Sequence, residues 1–234
     1  MTTIDVMLPF WGSRDLLREA VESVLAQDDP HWRLVVIDDA YPDPEAAAWV
    51  GDIDDERVSL LRNEHNVGVS GSFQRCLDLA EADWLVVMGC DDRMLPRFVG
   101  RMREMITAHP DVAYLQPGVR VIDEHGEPHR PLGDRLKAHY RIEGDGPQEV
   151  GGEVLVASLL RGNWMYFPAT CWNRAKAGRI GFEQTYRIVL DWWLQLELLL
   201  DGEQALIDPT VTFEYRRHPV QVSTAAAFDV TRFH

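Results

Sequence analysis

The chain has 234 residues, 46% of them apolar, which is enough for a sizeable core in one large α/β unit. Its 38 acidic residues against 23 Lys and Arg give a formal net charge of -15, which sets it against a phosphate backbone and excludes nucleic acid as the main partner. Cys76, Cys90 and Cys171 form no CxxC pair and suggest neither a disulfide framework nor a zinc knuckle. The start, MTTIDVMLPFWG, has no basic n-region or long apolar stretch, and no apolar run approaches a membrane span, so a soluble, cytoplasmic protein is expected.

Residues 4–8 read as a short buried strand ended by Pro9. Leu16, Leu17, Ala20, Val21, Val24 and Leu25 then follow helical spacing, with Ser13 as N-cap and Asp15 in the first turn. A continuously apolar strand over 32–37 stops at Asp38 and Asp39. A third strand is predicted over 58–61, a helix over 69–80 and a fourth strand over 84–88, again closed by acids. A helix over 98–109 and a strand over 112–116 follow. The stretch 117–152, rich in Gly, Pro and charge, reads as a strand at 119–122, a turn at 123–126 and a mobile loop. Order resumes with a helix over 153–160, an apolar segment at 169–172, a long helix containing 191–200, and a strand at 211–215 before Arg216, Arg217 and His218. The alternation predicts an α/β fold with a Rossmann-like, mostly parallel sheet and helices on both faces.

Ligands of such sheets bind outside the carboxyl ends of the strands. The residues delivered there are Pro9, Phe10 and Trp11 after the first strand, Asp38 and Asp39 after the second, and Cys90, Asp91 and Asp92 after the fourth. One acidic pair after a strand is an ordinary turn feature; an aromatic pair and two acidic pairs on one rim point to a site.

Three stretches, VMLPFWGSRDLLREAVESVLAQ, LVVIDDAYPD and NEHNVGVSGSFQRCLDLAEADWLVVMGCDDRMLP, resemble in order and spacing the nucleotide-binding half of family 2 glycosyltransferases. GNWMYFPATCWNR, LDWWLQLELLLDG and FEYRRH extend the likeness across nearly the whole chain. The resemblance implies the glycosyltransferase A fold, with residues 1–116 as the nucleotide-sugar-binding half and 117–234 as the acceptor-binding and catalytic half of one domain. It implies an inverting transfer of a sugar from a UDP- or dTDP-sugar to an acceptor hydroxyl.

The same resemblance assigns the residues. Asp38 and Asp39 fall where the family holds base and ribose, with Trp11 available to stack on the base. Asp91 and Asp92 fall on the DxD region that holds Mg²⁺ or Mn²⁺ against the diphosphate, although Gly89 replaces the usual first acid. His218 is a candidate third metal ligand, and Arg217 and Arg75 are candidates for contact with the donor. Asp191 takes the place of the general base, with Leu190 replacing the Glu beside it, and Asn163, Trp164 and Trp192 are candidate acceptor contacts. Each has a plainer structural reading: turn acids for Asp38, Asp39, Asp91 and Asp92, a helix-start acid for Asp191, core packing for the tryptophans, a surface cluster for the basic residues.

The acceptor expected is a saccharide, a lipid-linked molecule or a small molecule. Peripheral membrane association, a homodimer, and an acceptor lid supplied from outside the sequence are all compatible with it. A sugar nucleotidyltransferase is disfavoured because Pro9-Phe10-Trp11-Gly12 supplies one glycine where a phosphate loop needs several. A non-catalytic nucleotide-sugar binder is the other alternative, raised by Gly89 and Leu190.

Overall fold

The computed structural model describes residues 2–142, 144–182 and 189–218. The first half runs β1 (Ile4–Phe10), α1 (Arg14–Leu25), β2 (Trp32–Asp38), α2 (Glu45–Ala48), β3 (Val58–Arg62), α3 (Gly68–Leu79), β4 (Trp84–Val87), β5 (Arg93–Met94) and α4 (Phe98–Ala108). The second runs β6 (Tyr114–Ile122), α5 (Leu132–Ala138), β7 (Gln148–Gly151), α6 (Gly152–Arg161), β8 (Cys171–Asn173), α7 (Arg174–Ile180), α8 (Leu190–Leu200) and β9 (Gln204–Arg216).

The described strands make one nine-stranded sheet ordered β3-β2-β1-β4-β8-β6-β9-β5, with β7 also paired to β9. β3, β2, β1 and β4 are mutually parallel. β8 runs antiparallel between β4 and β6, and β6 with β9 forms a further parallel pair. Alternation along each strand divides the core. Val6, Leu8 and Phe10 of β1 pack under α1 and α4, while Met7, with Val35 and Ile37 of β2, packs under α3, α6 and α8. Burial on both faces explains why β1, β2 and β4 read as uninterrupted apolar runs.

At the end of the strands away from the rim, Asp5 is buried. It accepts from Arg33 Nε at 2.9 Å and Nη2 at 2.8 Å, and from the backbone N–H groups of Glu81 at 2.6 Å and Ala82 at 2.9 Å. A buried carboxylate persists when its lone pairs are filled in this way, and here it ties β1 and β2 to the α3–β4 connection.

Several elements differ from the expectations. The two strands at 112–116 and 119–122 are one strand, β6, with register shifts on either side of Gly118. Pro117 has no N–H for the ladder, and a Cβ on Gly118 would lie 2.4 Å from the Pro209 carbonyl oxygen, so the close approach to β9 requires glycine. The strand expected at 211–215 is the last part of β9, which begins at Gln204. Asp208-Pro209 disguises the first part as a turn, yet Asp208 is fully buried and bonded by Arg101 Nε at 2.7 Å. The loop after the 123–126 turn contains α5 and β7. Ser13 takes the extended N-cap geometry without a side-chain cap bond, and α7, unforeseen, is capped by the Asn173 side chain accepting from Lys176 N–H at 3.2 Å. All three cysteines are free, and no described helix is long and apolar enough to cross a membrane.

Candidate functional site

The parallel register sets Phe10 beside Asp38, so the rim begins where β1 and β2 end together. Phe10 is fully buried and Pro9 half-buried, whereas Trp11 is 50% exposed. Tyr41 joins them: its ring centroid lies 5.3 Å from that of Phe10 and 5.3 Å from that of Trp11, the latter edge-on. The result is an aromatic shelf with one open member.

The two acids after β2 hold this rim in shape. Asp38 accepts from the Tyr41 N–H at 2.8 Å and is ion-paired with Arg62, which also donates to the Tyr41 carbonyl at 2.8 Å. Asp39 accepts from Asn63 Nδ2 at 2.7 Å, Val67 N–H at 2.9 Å and Gly68 N–H at 3.0 Å, fixing the loop that enters α3. Both carboxylates are buried, so each already performs the turn-bracing role that acids after strands commonly have. A carboxylate offers about four acceptor sites, so Asp39 with three bonds retains little for a ligand. Tyr41, absent from the sequence candidates, is carried by the Asp38 bond, and its proximity has no signature in the sequence.

After β4 the chain turns through Gly89, Cys90, Asp91 and Asp92 into β5. A Cβ built on Gly89 would lie 2.5 Å from Asp92 Oδ2 and 3.0 Å from Asp91 Oδ1. The two carboxylates thus converge on the space that a side chain at 89 would fill. Asp92 is buried, its Oδ1 accepting from the Arg216 N–H at 2.8 Å while its Oδ2 has no partner among the described residues. Burial and the adjacent Asp91 push its pKa well above the usual carboxylate range. Burial, with Asp91 beside it, also pushes the Cys90 thiol up to about 12, so Cys90 is no nucleophile.

β9 returns across this turn. Arg216 is buried and acts as a clasp: Nε donates to the Asp91 carbonyl at 2.7 Å, Nη1 to the Asp123 and Glu124 carbonyls at 3.3 and 3.2 Å, and Nη2 to Glu19 Oε2 at 2.5 Å. His218 Nε2 lies 2.8 Å from Asp91 Oδ2. Arg217, expected at the donor, bonds Asp134 of α5 through Nη2 at 2.7 Å and Nε at 3.1 Å, and Tyr166 donates to the same carboxylate at 3.2 Å. Burial would lower the Arg217 pKa, but its bonds to Asp134 outweigh that and raise it.

Asp191 stands in the first turn of α8, half-buried. Its pKa is raised by burial, against lowering contributions from nearby backbone N–H groups, from Asn163 and from Lys137. Asn163 Nδ2 reaches its Oδ2 only at 3.5 Å. Asn163 is half-buried beside Asp191, and Trp192 is half-buried against the core, its Nε1 unpartnered. Trp164 corrects an expectation: it is a core residue, Nε1 donating to Ser158 Oγ at 2.8 Å, and its burial leaves no open ring face for an acceptor. Arg75 is exposed on α3 and contacts none of the other site residues in the described structure.

Among the described residues no group of three or more His, Cys, Asp or Glu side chains is arranged to hold a metal unaided. The donor set nevertheless fits a divalent cation that also takes ligand oxygens and water. Asp91 Oδ2 faces His218 Nε2, Asp92 Oδ2 is an orphaned buried oxygen, and a cation would offset the burial and the Asp91 charge that together raise Asp92.

The comparisons with known proteins bear on the family and the fold. The sequence model of the family described as Glycosyl transferase family 2 matches residues 5–165. The chain is 26% identical over 224 residues, 94% of its length, to the succinoglycan biosynthesis protein ExoO of Rhizobium meliloti (strain 1021), of which that match covers 62%. It is 27% identical over 129 residues to EpsE of Bacillus subtilis (strain 168), provisionally named a glycosyltransferase, covering 53% of this chain and 45% of EpsE. The crystal structure of S. aureus TarS 1-349 in complex with UDP-GlcNAc superposes with a TM-score of 0.73 at 15% identity, over 96% of this chain and 61% of that one. The chain thus spans less than two thirds of the length of each of these relatives.

Proposed function

The chain belongs to glycosyl transferase family 2, and we propose that it inverts the anomeric centre of a UDP- or dTDP-sugar while transferring the sugar to an acceptor hydroxyl. The observation that carries this reading is the pairing, at the sheet rim, of Asp91 with His218 at 2.8 Å; Asp191, a carboxylate of raised pKa in the first turn of α8, is the candidate base. The UDP-GlcNAc complex of a protein with the same fold supports a nucleotide-sugar donor.

In this mechanism the exposed face of Trp11 receives the base, on a shelf braced by Asp38 and Tyr41. Asp39 holds the loop at 63–68 that closes the nucleotide side. Asp91 and His218, with Asp92 behind them, would hold Mg²⁺ or Mn²⁺, which supplies charge neutralisation for the departing diphosphate. Asp191 accepts the proton of the acceptor hydroxyl as its oxygen attacks the anomeric carbon and the diphosphate leaves. Burial without strong pairing keeps Asp191 basic enough for that task, and Asn163 orients it. Arg217, held by Asp134, would have to exchange that partner to reach the diphosphate. Three unpaired thiols, two of them buried, suit action in the reducing cytoplasm.

The test is thermal unfolding with UDP or dTDP, with and without Mn²⁺, followed by hydrolysis of a donor panel. A ligand that binds only the folded state raises its stability, by about 2.7 kcal/mol at a hundredfold excess over Kd. Metal-dependent stabilisation by one nucleotide, with slow donor hydrolysis, is expected. Stabilisation without any hydrolysis or transfer would favour the non-catalytic binder.

A further inference from the structure

Helix α5 presents its apolar residues outward. Asp134 faces inward, buried against Arg217 and Tyr166. Leu132 and Leu136, one turn apart, are 67% and 61% exposed, and Tyr140, in the turn just after the helix, is 42% exposed. Residues four apart, as the two leucines are, share one face of a helix. The helix is tethered at two points: Asp134 is bonded to Arg217, and just past its end the Tyr140 carbonyl accepts from Ser158 Oγ at 2.5 Å.

The charge around this face is opposite to that of the molecule. The segment 129–141, HRPLGDRLKAHYR, carries Arg130, Arg135, Lys137 and Arg141 against the single Asp134, in a chain of net charge -15. Asp134 is already neutralised by Arg217. Arg130 and Arg135 are exposed, and neither forms an ion pair among the described residues. At physiological ionic strength charges are screened beyond about 8 Å, so the acidity of the remaining surface counts for little against basic groups in direct contact with a partner.

We propose that the outward face of α5, Leu132 and Leu136 with Tyr140 just beyond the helix, framed by Arg130 and Arg135, seats the protein on an anionic lipid surface. An acidic saccharide would satisfy the arginines but leave the two leucines in water. The boundary between headgroups and acyl chains satisfies both, the leucines entering and the guanidinium groups staying at the phosphates. Two leucines and two arginines give a reversible attachment, not an anchor. The seat lies back to back with the site, because the inner face of the same helix holds Arg217 beside His218. An acceptor presented at the lipid surface would then meet the transfer machinery across one helix. The seat goes beyond the proposed transfer reaction and is measured without donor.

The experiment is sedimentation of the whole chain with vesicles of phosphatidylcholine alone and of mixed phosphatidylcholine and phosphatidylglycerol. Binding to the mixed vesicles only, weakened by salt, is expected. Arg130→Ala/Arg135→Ala should lower partitioning about fivefold per residue. Leu132→Ser/Leu136→Ser should lower it about tenfold. All four positions are exposed, so both variants should unfold at the wild-type temperature and keep the wild-type thermal shift with UDP. No sedimentation with either vesicle, or sedimentation unchanged in both variants, overturns the proposal. So does displacement by soluble polygalacturonate with the leucine variant binding as wild type, which would mark a saccharide partner. Intact vesicle binding with no UDP response would instead sink the transfer reading alone.

Discussion

Asp191→Asn separates a base from a structural helix-start acid more cleanly than any other change, because the structure predicts opposite signs for activity and stability. The carboxylate is pushed up by burial, and its one side-chain partner, Asn163, stands at the 3.5 Å limit of a hydrogen bond. A group whose folded pKa exceeds its unfolded value contributes stability only at low pH, and that contribution is lost as pH rises through the folded value. Asparagine has no charge to desolvate. At pH 7 the variant should therefore be as stable as wild type or more so, and its advantage should shrink to nothing as pH falls toward about 3.9, the unfolded value. Transfer should move the other way, kcat/KM falling about 10²- to 10⁴-fold for loss of a general base, with the nucleotide thermal shift retained. The acid limb of the wild-type rate profile should lie above that of an unperturbed aspartate. Calorimetric melting across pH, with donor turnover on the same samples, reads all three. Wild-type turnover in Asp191→Asn, or a large loss of stability at neutral pH, would refute the reasoning.

Three other substitutions follow from the geometry. Gly89→Ala places a methyl 2.5 Å from Asp92 Oδ2, so it should cost about 1–3 kcal/mol of stability and weaken Mn²⁺ binding, measured by melting and by metal titration. Arg216→Met removes a buried clasp on the Asp91 carbonyl and leaves Glu19 only its 3.6 Å contact with Arg93; Glu19 is half-exposed, so about 2–4 kcal/mol is expected in denaturant unfolding, and Arg216→Lys should recover part of it. Asp39→Ala strands the N–H groups of Val67 and Gly68 and should cost about 2 kcal/mol, with nucleotide affinity falling only as far as the loop loosens; Asp39→Asn, which keeps an acceptor, should restore most of both in paired melting and UDP titrations.

The parallel half of the sheet was legible because local and global signals agree there. β1, β2 and β4 are buried on both faces, so their apolar runs, and the acids that end them, appear directly in the sequence. The second half was harder to read. Asp208 and Pro209 have turn composition, yet they lie inside β9 because Arg101 pairs the buried carboxylate and Gly118 admits the chain on the other side. Asp91 and His218 were paired in expectation by resemblance and are 2.8 Å apart in the fold. Contacts across 83 to 197 residues, Arg217 on Asp134 and Arg216 on Glu19, leave no local pattern, which is why Arg217 was expected on the donor and the Arg216 clasp was not foreseen. Trp164 shows the reverse limit: an aromatic in a functional stretch was read as an acceptor contact, but only its hydrogen bond to Ser158 and its burial identify it as core.

The central claim is that Asp91 and His218 form the diphosphate end of a nucleotide-sugar site, and titration calorimetry of UDP in the presence of Mn²⁺ tests it most directly. Wild type should bind UDP with an affinity that collapses on chelation, and Asp91→Asn and His218→Ala should each reproduce that loss while melting as wild type. Equal UDP affinity in wild type, in both variants and after chelation would contradict it.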